Sequence, residues 1–321
     1  MAVYTILTDE DLEAVRIAFG LGEINVIKGI AEGVQNTNYY VEAGLERYIL
    51  TIYEKMVDVA DLPFFLGATE LAAQLGLPTA KPMRTRSGEI TLNIAGKTCA
   101  LCSFLNGVSP RSPSAMQAKS AGAALAKLHL ALAGSGLNRI NDLGPTAWPT
   151  LWEKCKLSAE LLETGVGKMI EADLTGFAQN WPKDLPSGFI HADLFPDNVL
   201  FLGNEVSGLI DFYFAATDFF AYDLAVMLNA WCFLPLGREF DLTKGRALIA
   251  GYESVRKLSD AECAAIPILA RGAALRFFLT RMMDWSRPDD GSIVTKKDPR
   301  EYSARLAFHR AAKSIMDYGR V

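Results

Sequence analysis

Apolar and polar positions change their spacing part-way along the chain. In the first hundred residues, short alternating runs at about 24–29, 38–43 and 47–54 predict strands, with turn residues between them. Thr8-Asp9-Glu10-Asp11 has the form of a capping box and predicts a short helix to about Phe19. Asp61-Leu62-Pro63 opens a second helical segment to about Leu75; Gly76 ends it and Pro78 follows. Two further strand-like runs surround Gly88 and Gly96, the second ending near Leu105. A turn-rich stretch, Asn106 to Pro113, then separates this part from one that is mostly helical in pattern. Ser114-Ala115-Met116-Gln117 caps a helix to about Ala133. Ser259-Asp260-Ala261-Glu262 caps another, which Pro267 is expected to kink or restart. One strand pair near 189–212 interrupts the helices. The fold class expected is α+β, with a small antiparallel-sheet region over 1–105 and a larger mainly helical region over 106–321.

Composition narrows the function. The chain has 321 residues, half of them hydrophobic, enough for a sizeable core. Lys plus Arg make 32 and Asp plus Glu make 37, a formal charge of −5 that disfavours bulk electrostatic binding to nucleic acid or anionic membrane. The start carries no basic and apolar leader pattern, and the greasy run from Leu224 to Gly237 is too short and interrupted to span a bilayer. Five cysteines in a chain this long fit reduced thiols and a cytoplasmic location. Cys99 and Cys102 form a C-x-x-C on a predicted strand, whose geometry sends the two thiols to opposite faces.

The most informative segment runs from Gly188 to Phe212. An apolar strand enters, a loop carries His191, Asp193 and Asn198, and an apolar strand leaves; a turn at 202–205 and a returning strand deliver Asp211-Phe212. Phosphoryl transfer from a nucleotide needs these parts: a carboxylate beside the attacking hydroxyl, and oxygen ligands that hold magnesium against the phosphates. Asp193 suits the first role, Asn198 and Asp211 the second. The pattern H-x-D-L-x-x-x-N has four fixed residues, which a chain of this length matches by chance about 0.002 times.

These residues resemble the catalytic loop of protein kinases, with the D-F thirteen residues after the Asn as their metal-binding aspartate. Ala192 stands where that loop has arginine, D-F-Y replaces D-F-G, and Asp223-Leu224-Ala225 comes later in the chain. The sequence is therefore similar to the small-molecule branch of the kinase-like fold, the aminoglycoside phosphotransferase and choline kinase group. The resemblance implies a bilobal fold binding ATP and Mg2+ between a nucleotide-binding lobe, 1–105, and a catalytic and substrate-binding lobe, 106–321. It places Gly29 and Gly33 in a phosphate-covering loop, and Ser103 and Leu105 where backbone groups touch adenine. The strand lysine expected near Thr51 is absent; Lys55, four residues on, is the candidate for its charge, with Lys28 a second, and Glu70 is the candidate helix partner. His191 and His129, the latter in Leu125-Ala126-Lys127-Leu128-His129, are expected behind the reacting groups, with simple packing the alternative for His129.

Within that group the chain resembles the bacterial homoserine kinases. Lys28 to Tyr39, Tyr53-Glu54-Lys55 with Asp61 to Phe65, and Leu269 to Arg281 carry the likeness. The implied substrate is L-homoserine, a small molecule with a carboxylate, an ammonium and a primary hydroxyl. Arg271, Arg276 and Arg281 are candidates for the carboxylate, and Asp197 and Asp223 for the ammonium, with Asp223 equally suited to bracing the catalytic loop. Choline, methylthioribose or an aminoglycoside are alternative acceptors. A nucleotide-binding pseudokinase and a metal-dependent hydrolase are the readings from other classes.

Overall fold

A computed structural model describes residues 5–30, 36–54, 58–287 and 296–321. The chain divides into two compact units: residues 1–107 with 207–213, and residues 108–206 with 214–321. The sequence pattern drew its boundary at 105/106; the segment 207–213, placed by pattern in the second region, groups with the first unit.

The first unit is built on a five-stranded antiparallel sheet. Its elements are α1 (Asp9–Phe19), β1 (Ile24–Gly29), β2 (Thr37–Ala43), β3 (Glu46–Ile52), α2 (Leu62–Gln74), β4 (Leu92–Ile94) and β5 (Lys97–Ser103), with strand order β1-β2-β3-β5-β4. Thr8 closes a reciprocal capping box with Asp11 at the start of α1. Burial alternates strictly along β2, as a strand with one face in a core requires. Tyr39, Val41 and Ala43 join Val15 and Phe19 of α1 in one cluster; Ala100 joins Leu62 and Leu66 of α2 in another. Cys99 lies in the first cluster and Cys102 packs against the second, so the C-x-x-C thiols face opposite sides of the sheet. Burial pushes both thiols up to about 12. The run around Gly88 is not a strand: Thr85 N donates to Glu89 O and Gly88 N to Thr85 O, closing a polar turn. Its residues 84–89 offer no apolar side chain to a core.

The second unit contains α3 (Ala115–Leu132), α4 (Trp148–Leu162), α5 (Val166–Asn180), β6 (Ser187–Ile190), β7 (Val199–Leu202), β8 (Glu205–Leu209), β9 (Ala216–Phe219), α6 (Phe220–Trp231), α7 (Leu242–Glu253), α8 (Asp260–Trp285) and α9 (Arg300–Ala311); the division between units falls inside β8. β6 pairs with β9, which the sequence pattern did not show. α6 is buried almost throughout. α8 runs unbroken through Pro267, with Ile266, Leu269 and Ala270 buried on either side. That packing offsets the hydrogen bond the proline cannot make. α8 is also long and apolar enough to cross a membrane, yet 72% of its most apolar window is buried in the protein, as in a core helix.

α3 and α7 cross at glycines. A Cβ on Gly251 would lie 1.9 Å from the Lys119 carbonyl oxygen, and one on Gly122 2.2 Å from that of Leu248. Only residues without a side chain permit this approach.

Candidate active site

The loop between β6 and β7 is fixed from beneath by buried groups of the second unit. Asp223, fully buried in the first turn of α6, accepts the backbone N–H of His191 at 2.7 Å and that of Ala192 at 2.8 Å. It also accepts His129 Nε2 at 3.0 Å. Behind it, Tyr252 Oη lies 2.9 Å from His129 Nδ1, and Arg256 donates to Tyr252 Oη at 3.3 Å. Arg256 in turn pairs with the buried Glu262 at 2.9 Å. A neutral His129 has one consistent assignment in this set: it donates from Nε2 to the Asp223 carboxylate and accepts the Tyr252 hydroxyl at Nδ1.

The electrostatics support that assignment. Burial would raise the Asp223 pKa, but hydrogen bonds from His129 and the His191 amide outweigh it and hold the carboxyl below its ordinary value. Burial pushes the His129 pKa down, and Asp223 opposes it only in part. Anionic Asp223 beside neutral His129 is the resulting state.

The consequence is a clamped backbone. Ala192 has φ +61°, the left-handed region, at a cost of about 1–2 kcal/mol for a residue with a Cβ. Asp193 comes next, half-buried, with its N–H 3.3 Å from His191 Nδ1. Trp231 Nε1 donates to Leu194 O at 2.8 Å. Asn198 is buried, and its Nδ2 donates to Asp193 O at 2.8 Å and Oδ2 at 3.3 Å. This turns the amide so that Oδ1 faces away from Asp193. In the first unit Asp211, exposed after β8, also sits at positive φ, +64°.

One carboxylate and one carboxamide oxygen are hard donors of the type magnesium uses when substrate phosphates and water complete its shell. Each of Asp211 and Asn198, taken by its donor type, suits that ion. Among the described residues no group of three or more His, Cys, Asp or Glu is placed to hold a metal.

The other sequence-derived candidates have these places. Arg276, 1% exposed, donates from Nη1 to Ala192 O and lies over the Phe277 ring at 4.5 Å. Arg271 is 3.9 Å from Asp173 and lies over Phe177. Arg281 pairs with Glu301 at 2.8 Å, donates to Asp298 O and lies over Tyr302. The three arginines thus point three ways. Asp197 is exposed, 3.6 Å from Lys297. In the first unit Glu70 is taken up by a bidentate pair with Arg84. Thr51 donates to Asn38 Oδ1 at 2.8 Å. Gly29 ends β1, exposed, opposite Tyr39, and Lys28 precedes it. The Ser103 N–H is donated to Lys81 O at 2.8 Å, beside the sheet, and half-buried Leu105 stands two residues on. Gly33 and Lys55 lie outside the described residues. Trp231 and Tyr252 were not singled out from sequence: an aromatic in an apolar helix gives no sign that its polar atom is committed.

Comparison with known proteins gives the family. Residues 26–258 match the phosphotransferase enzyme family. A homoserine kinase of Rhizobium rhizogenes is 49% identical over 319 residues, covering 99% of each chain. One of Xanthobacter autotrophicus is 50% identical over the same length and coverage. Among solved structures, an amicoumacin kinase in complex with AMP-PNP and Ca2+ superposes with a TM-score of 0.67 at 16% identity, over 95% of this chain and 92% of that one. A spectinomycin phosphotransferase in complex with ADP and spectinomycin gives 0.65 at 12% identity, covering 98% of each. These two likenesses show the kinase-like fold. Near-half identity along the whole length shows the closer kinship, and the chain belongs to the homoserine kinases within the phosphotransferase family.

Proposed function

We propose that this protein transfers the γ-phosphoryl group of ATP to the side-chain hydroxyl of L-homoserine, giving O-phospho-L-homoserine for threonine synthesis. The clamped Asp193 carries the phosphoryl-transfer reading; the full-length relatives named homoserine kinase carry the acceptor. Asp193 orients the acceptor hydroxyl and takes its proton at a carboxylate oxygen as the hydroxyl oxygen attacks phosphorus. Asn198 Nδ2, bonded to Asp193 Oδ2, fixes the carboxylate rotamer for that transfer. Asn198 Oδ1 and Asp211 would hold Mg2+, which when bound spreads the charge of the transferring phosphate. Gly29, Gly33 and Lys55 or Lys28 are the proposed phosphate contacts; backbone groups near Ser103 and Leu105 are the proposed adenine contacts. Arg271 and Arg281 remain proposed partners of the homoserine carboxylate, and Asp197 of its ammonium. The five cysteines are unpaired and four are buried, which supports a reducing compartment, the cytoplasm.

The test is ATP turnover with Mg2+ across L-homoserine, choline, methylthioribose and an aminoglycoside. Homoserine-dependent ADP release, and a fall of about three or more orders of magnitude in kcat for Asp193→Asn with ATP binding kept, are expected. Turnover confined to another acceptor, or a near-wild-type Asp193→Asn, refutes the assignment.

A further inference from the structure

We propose that Arg276 is a positioning residue: from α8 it holds the carbonyl of Ala192 and so fixes the peptide that presents Asp193. The Ala192 carbonyl and the Asp193 N–H belong to one planar peptide unit. Arg276 Nη1 donates to the oxygen end, and His191 Nδ1 lies 3.3 Å from the nitrogen end. The preceding peptide is held at the Ala192 N–H by Asp223. Ala192 at φ +61° would relax towards an ordinary backbone conformation if released, and that rotation would swing the Asp193 Cα and its carboxylate.

The surroundings of Arg276 point to this role. It is 1% exposed, lies over Phe277 at 4.5 Å and Phe214 at 5.4 Å, and its Nε has no hydrogen-bond partner. Among the described residues it forms no ion pair; its Nη1 bond to the Ala192 carbonyl is made beside the Tyr222 hydroxyl and within the field of the Asp218 carboxylate. A buried guanidinium with no ion pair is costly to retain for packing alone. The loop itself has Ala192 where the protein-kinase pattern has arginine. Here the guanidinium reaches that same residue's backbone from another helix.

The inference rests on Asp193 as the base, so wild type and Asp193→Asn are assayed alongside. An inactive wild type or an active Asp193→Asn fails that reading, and neither can be confused with an effect of the Arg276 variants. Arg276→Gln is expected to lower kcat by about 50-fold or more, with KM for homoserine and ATP within about threefold, and Arg276→Lys to recover part of the loss. A tenfold rise in homoserine KM with kcat kept would make Arg276 a substrate ligand and overturn the proposal. A lowered melting temperature with unchanged kcat per folded enzyme would make it merely structural and overturn it equally. If the Gln variant does not fold, Arg276→Lys decides: a kcat lowered about tenfold at unchanged KM supports the role, and wild-type kcat refutes it.

Discussion

Asp223→Asn is the sharpest probe of the loop's support. Three donors converge on this side chain: the N–H groups of His191 and Ala192, and His129 Nε2. A carboxylate accepts all three on two oxygens. An amide has one acceptor oxygen, and in either orientation its NH2 group faces at least one donor. One charge-assisted hydrogen bond is lost, about 1.5–3 kcal/mol, and a buried N–H is left unsatisfied, about 1–3 kcal/mol. Because the two overlap, a total of about 3 kcal/mol is expected, the low end of a typical buried-pair loss. Part of it destabilises the fold and part lets the loop move; a shift of about 1 Å at Asp193 costs about 100-fold in rate. Urea unfolding followed by tryptophan fluorescence reads the first part, and steady-state kinetics the second. The expected result is a lower unfolding midpoint together with kcat down about 100-fold and homoserine KM little changed. Wild-type kcat within threefold would refute the bracing argument. A raised homoserine KM with kcat kept would make Asp223 the ammonium partner instead.

The proposed metal ligand, a buried histidine and the helix crossing give three more expected outcomes. Asp211→Asn should lose Mg2+-dependent turnover by about three orders of magnitude, measured as initial rate against Mg2+ concentration; a mild loss counts against its metal role. His309, buried between Asn229 Oδ1 and Tyr318 Oη at 2.9 Å each, is pushed down to about 3 by burial, with Arg305 and Arg271 adding to it. Below about pH 6.5 the unfolded chain takes up a proton that the folded one refuses, so between pH 6.5 and 4.5 stability should fall by about 2.3 kcal/mol from this group. Melting temperature against pH should show it, and His309→Gln should flatten the curve. Gly251→Ala forces a Cβ against the Lys119 carbonyl and should cost about 3 kcal/mol, a drop in Tm of about 6–12 °C by calorimetry; an unchanged Tm would mean the helices separate freely.

Local signals in the sequence were the reliable ones. The boxes at Thr8, Ser114 and Ser259 open helices at Asp9, Ala115 and Asp260, because a cap is satisfied within four residues. β9 was missed because its four residues, Ala216–Phe219, owe their conformation to pairing with β6, about thirty positions away. Pro267 misled for the same reason: packing along α8 outweighs one lost hydrogen bond. Around the loop, residue types were legible and contacts were not. Asp223 stood out in its D-L-A run, but only the fold shows its carboxylate on two backbone amides. The arginines of α8 stood out as charges in an apolar helix, yet their three different partners depend on which elements surround each position.

The glycine crossing of α3 and α7 sets where the loop's rigidity comes from. His129 rides on α3 and Tyr252 on α7, and at the crossing the two backbones touch with no side chain between them. Neither helix can open without exposing the other's amides, so the pair should exchange hydrogen with solvent as one cooperative unit. Asp223 then keeps its histidine for as long as that unit stays closed. The time over which Asp193 is held ready should then follow the opening of the two helices together, a rarer event than the fraying of either alone.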